Sequence, residues 1–105
     1  MNEDLNLIEL IESEVLAFKE VSRFADASLT ENITQAVLRK DINPSIRISN
    51  DNDVITISIE IIVYYGVNIP QLCYDIQTKV RNNLRNATGL DIKAVNIRVE
   101  GIDKK

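Results

Sequence analysis

The chain has 105 residues, 45% hydrophobic and 27% charged, a mixture that fits one soluble globular domain and excludes disordered or collagen-like chains. Its formal charge of −4 argues against nucleic acid or an anionic membrane surface as the main partner, since either rewards net positive charge. With no histidine and one cysteine, Cys73, it lacks the commonest general base near neutral pH, an internal disulfide and a cysteine metal cluster, so a reducing cytosol is the expected setting.

The opening residues, MNEDLNLIELIESEV, scatter acids where a secretory leader carries a basic segment and an unbroken apolar run, so export is not expected. Leu5, Ile8, Ile11, Val15, Phe18 and Val21 recur at three- and four-residue steps without an intervening Gly or Pro. This spacing predicts an amphipathic helix from Leu5 to about Ala25. A second, shorter helix is expected to follow, capped by Ser28 or Thr30, with Ile33 and Val37 inward and Arg39 and Lys40 at its end. Asn43-Pro44 stops it.

From Ser45 to Ser49, and again from Val54 to Tyr65, apolar and polar residues alternate, which predicts two half-buried strands. The intervening Asn50-Asp51-Asn52-Asp53 carries short polar side chains that suit a tight turn, so the strands form an antiparallel hairpin. After Gly66, Asn68 can cap a helix that has Pro70 in its first turn and Ile69, Leu72, Cys73, Ile76, Val80 and Leu84 along one stripe. Gly89 is placed to end it in the left-handed conformation. A last alternating strand runs from Ile92 to Ile102 with Val95, Ile97 and Val99 inward.

Strand, helix and strand in this order make a right-handed crossover that sets the long strand parallel to the last one. The predicted fold is therefore α+β, a two-layer sandwich of a three-stranded mixed sheet with helices on one face. With Ile55, Ile57, Ile59, Ile61 and Val63 turned towards those helices, Ile62 and Tyr64 fall on the opposite, otherwise polar face. Simple alternation puts Ile102 beside them. These three residues are the candidate partner-binding patch, the alternative being that the N-terminal segment or the C-terminal tail covers Ile62 and Tyr64; the unpaired outer strands offer a second route to oligomers.

No catalytic, cofactor-binding or metal-ligating constellation is expected. The three glycines, Gly66, Gly89 and Gly101, are isolated and build no phosphate-cradling loop. Cys73 lies on an apolar stripe, where a free thiol acts as a small buried hydrophobe. The Asn50 to Asp53 run lacks the glycine and closing glutamate of a calcium loop. Lys79, Arg81 and Arg85 complement the end of a helix dipole as a solvated face.

The stretch from Ile59 to Gly101 carries Tyr65-Gly66, Ile69-Pro70, Thr88-Gly89-Leu90, Val95-Asn96-Ile97 and the terminal Gly101. In this order and spacing it resembles the signature half of the alkaline shock, or envelope stress response, proteins of Gram-positive type bacteria. The resemblance is close over residues 59–101, looser over the preceding hairpin, and weak over residues 1–42, where no glycine-containing turn occurs. It implies a single domain over residues 1–105, cytoplasmic, linked to cell-envelope homeostasis and held near the membrane by an integral protein partner. No catalytic residue carries over, and Gly66, Pro70 and Gly89 read as structural. The expected function is a non-enzymatic interaction or scaffold protein that also binds itself. The alternative is a small RNA-binding module, although the chain shows neither a GXXG loop nor an aromatic ladder on the open sheet face.

Overall fold

A computed structural model of the chain describes residues 3–25 and 43–104, with side chains from Leu7 onward. The elements in chain order are α1 (Glu3–Leu16), β1 (Val21–Phe24), β2 (Ile46–Asp51), β3 (Val54–Tyr64), α2 (Ile69–Thr88) and β4 (Asp91–Asp103). The helix expected from Ser28 or Thr30 to Lys40 lies outside the described residues.

In α1 the apolar spacing does what it predicts, burying Leu7, Ile8, Ile11 and Val15 on one side. The helix nevertheless stops at Leu16 instead of continuing to Ala25, and a turn in which the Val21 amide donates to the Phe18 carbonyl (3.0 Å) leads into β1. The sequence pattern misleads here for a physical reason. A β-bulge sits between Val21 and Arg23, so the inward residues Val21 and Phe24 are three apart, a spacing that imitates a helix.

Because β1 joins it, the sheet has four strands, one more than expected. The central strand β3 pairs antiparallel with β2 (Ile46 opposite Ile59) and with β1 (Phe24 opposite Ile61), and parallel with β4 along its length. A strand has only two edges, so β1 and β2 must lie end to end along the edge opposite β4. The Ser45 carbonyl closes the gap between them by accepting from the Glu60 amide at 2.9 Å. The β2–β3 hairpin turns on Asn52 (φ 54°) and Asp53 (φ 68°), both left-handed as a two-residue type I′ turn requires. The Asp53 amide also donates to the Asn50 side chain at 3.0 Å.

The helix α2 begins where Asn68 accepts from the Gln71 amide at 3.1 Å, with Pro70 in the first turn. It ends at Gly89, whose φ of 75° lets its amide reach back to the Arg85 carbonyl at 2.8 Å. Leu72, Ile76, Val80 and Leu84 make its buried stripe. Those residues, the buried side of α1, and Ile55, Ile57, Ile59, Ile61 and Val63 of β3 form one core, which places both helices against the same sheet face.

Candidate interaction surface

The candidate surface lies where β3 and β4 finish, and it differs from the patch that simple alternation predicts. Of the three residues, Ile62 and Tyr64 do share the sheet face away from the helices, but Ile62 is only 8% exposed. Its neighbours explain the burial. Arg23 lies opposite it on β1 and Gly101 opposite it on β4. A side chain on Gly101 would begin 3.1 Å from Ile62 Cδ1, so Ile62 occupies the space that this glycine leaves.

Above Ile62 and Tyr64, the two flanking strands are joined by a clasp across β3. The Arg23 guanidinium donates to both oxygens of Asp103, at 3.1 and 3.3 Å, and the Ser22 hydroxyl donates to Oδ2 at 2.6 Å. These bonds, that of Ser22 first and that of Arg23 second, hold the Asp103 carboxyl below the usual carboxylate range.

The third residue, Ile102, stands on the other face. Between Val99 and Gly101, β4 bulges at Glu100, and this extra residue reverses the alternation so that Ile102 pairs with Val63. It lies beyond the cover of the helices and is 55% exposed. Tyr65, 77% exposed, lies at the same end of the sheet, where its amide donates to the Asp103 carbonyl at 2.8 Å. Leu16 at the end of α1 and Tyr74 in α2 are exposed as well. Sequence reasoning missed Tyr65, Leu16 and Tyr74; for Tyr65 the reason is that the expected strand runs through it, whereas β3 ends at Tyr64.

The outer edge of β4 is also less open than the pattern suggests. Two side chains of α2 reach over it: Gln77 Nε2 donates to the Val95 carbonyl at 2.8 Å, and Arg81 donates to the Lys93 carbonyl at 3.3 Å. Charged residues and bulges at an edge, here at Lys93 and Glu100, further discourage indiscriminate pairing.

Cys73 is half-buried rather than enclosed, because the buried stripe of α2 runs through Leu72 and Ile76 and leaves the thiol at its margin. Burial pushes its pKa up, away from a nucleophile's range. Gly66 takes φ 91° in the β3–α2 connection, so it and Gly89 serve backbone geometry, with Pro70 starting the helix. Among the described residues, no three His, Cys, Asp or Glu side chains gather into a metal-ligating group, and no helix is long and apolar enough to cross a membrane.

The architecture is thus an α+β domain with a helix-covered sheet face and exposed apolar residues, Tyr65 and Ile102, at one end of the sheet. Over residues 8–104 the chain matches the family of alkaline shock protein 23, which has a cell envelope-related function, and it belongs to that family. Among proteins of Bacillus subtilis (strain 168), it is 27% identical over 74 residues to the uncharacterized protein YloU, covering 70% of this chain and 62% of that one. It is 35% identical over 57 residues to the uncharacterized protein YqhY, covering 54% of this chain and 42% of that one. The matched region is less than two thirds of the length of either relative. No solved structure matches the chain.

Proposed function

We propose that the chain serves its family's envelope-related function as a non-catalytic interaction module, binding protein partners, one of them held in the membrane, and copies of itself. The observation that carries this reading is the exposure of Tyr65 and Ile102, two large apolar side chains at the same end of the sheet, where β3 and β4 finish. Large apolar residues clustered on a polar surface are a common mark of a protein–protein contact. The absence of histidine from the sequence supports a role without acid–base chemistry. A place next to the membrane would come through such a partner, since among the described residues no helix is long and apolar enough to cross a bilayer.

The test is the double variant Tyr65→Ser, Ile102→Lys, compared with wild type by circular dichroism and by capture of proteins from solubilised membranes. The folded variant is expected to lose the partners that the wild type retains. Retention of the same partners at the same yield would refute this surface.

A further inference from the structure

We infer that the bare stretch of the β4 outer edge, Arg98 to Glu100, pairs antiparallel with the same stretch of a second copy, in a register centred on Val99. The inference deepens the self-association proposed above and rests on it.

It begins with the direction of backbone groups. On β4, the Asp103 carbonyl faces β3, where it accepts from Tyr65, whereas the Val95 carbonyl faces away and accepts from Gln77 on α2. Between Val95 and Val99 the β3–β4 register runs without a shift, so the alternation set by Val95 continues and Ile97 and Val99 also turn their N–H and C=O groups outward. Among the described residues β4 pairs with β3 alone, so no strand receives these groups. The helix row that closes the edge explains where the cover ends. Arg81 and Gln77 are one turn apart and cap Lys93 and Val95. One turn earlier the row holds Cys73, whose short thiol makes no such bond.

An exposed row of outward N–H and C=O groups recognises an extended backbone. Charge selects a second copy and fixes the register. Arg98 and Glu100 stand on the open sheet side with 75% and 38% of their side chains exposed, 3.0 Å apart within one chain. In a two-fold antiparallel pairing about Val99, Arg98 lies opposite the partner's Glu100, and Glu100 opposite the partner's Arg98. A register centred on Arg98 would instead oppose two arginines, which like charges on facing strands disfavour. The pairing is short because Gln77 blocks it on one side and the Glu100 bulge on the other. A self-complementary edge that both copies use up gives a closed dimer rather than a filament.

The test is the association constant of the whole chain by sedimentation equilibrium. Wild type is expected to show a reversible monomer–dimer equilibrium. Val99→Pro removes an outward N–H, a change tolerated on an edge strand, and is expected to weaken the dimer about thirty-fold through the loss of two backbone bonds. Arg98→Glu and Glu100→Arg should each weaken it, and the double swap Arg98→Glu, Glu100→Arg should restore it. Circular dichroism confirms that each variant folds. If Val99→Pro does not fold, the charge swap decides alone. A wild type that stays monomeric, a folded Val99→Pro as dimeric as wild type, or a swap without rescue each overturns the inference. Partner capture through Tyr65 and Ile102 is read in a separate experiment, so a monomeric chain that still captures partners would sink the dimer and leave the wider function standing.

Discussion

Gly89 allows a substitution series in which backbone conformation acts almost alone. It sits at φ 75°, ψ 4°, ending α2, and an added Cβ would meet no heavy atom within 4 Å. Steric clash with neighbours is therefore absent, and what remains is the cost of a left-handed conformation, roughly 1–2 kcal/mol for an L-residue. Part of this is offset in alanine by about 0.4–1 kcal/mol, because the unfolded chain also loses freedom. Gly89→Ala should thus destabilise by about 1 kcal/mol, the β-branched Gly89→Val by about 2 kcal/mol, and Gly89→Asn by less than about 1 kcal/mol, since Asn enters this region most readily. For a domain of this size, 1 kcal/mol lowers Tm by about 4–8 °C and the urea midpoint by about 0.5–1 M. Urea unfolding followed by circular dichroism reads the series directly. A valine variant no less stable than the asparagine variant would refute the assignment of Gly89 to backbone geometry.

Replacing Ile76, fully buried on α2, with Ala should cost about 2–5 kcal/mol in the same assay, whereas Tyr74→Ala on the exposed side should stay within about 0.5 kcal/mol; similar losses would misplace the core face of α2. Because Ser22 and Arg23 lower the folded pKa of Asp103, its stabilisation is present above its unfolded pKa, about 3.9, and is lost as pH falls through the lower folded value. The difference in Tm between wild type and Asp103→Asn should therefore shrink as pH is brought from 7 towards 2.5, and a constant difference would argue against the clasp. Cys73 should react with a thiol reagent without denaturant, since it is half-buried, but more slowly than free cysteine, since burial raises its pKa; faster labelling would reopen the question of a reactive thiol. Phe24 and Ile46 lie opposite Ile61 and Ile59, two positions apart on β3, so replacing residues 26–42 with a short Gly/Ser linker should preserve the β-sheet signal of the folded chain; its loss would show that the sheet requires that segment.

Most of the fold could be read from the chain because local signals and burial agreed. The alternation from Ile55 to Val63, the stripe Leu72–Ile76–Val80–Leu84, the Asn68 cap and the Gly89 stop each follow from a two- or 3.6-residue period or from a single residue's backbone preference, and each stands as expected. β1 was hidden because its bulge spaces Val21 and Phe24 as a helix would, and the helical run before it offered no glycine or proline to mark the change. Only pairing with Val63 and Ile61, residues some forty positions away, makes Val21–Phe24 a strand, and no local pattern reports a partner that distant.

The candidate surface depended on a second bulge, and its consequence shows how little of an interface a period-two pattern determines. Had β4 kept its alternation through Glu100, Ile102 would have joined Ile62 and Tyr64 on the open face as a small apolar patch. The extra residue instead turns Ile102 towards the side of Val63 and brings Asp103 onto the open face, where it meets Arg23 and Ser22 and the clasp closes over Ile62. One inserted residue therefore withdraws Ile62 from solvent and moves the exposed Ile102 to the other face, at the end of the sheet that also carries Tyr65. Gly101 is the second requirement, because a larger residue there would press on Ile62 and resist its burial. The bulge and the glycine together decide which face of this end exposes its apolar side chain, and the decision is made by strand register rather than by composition.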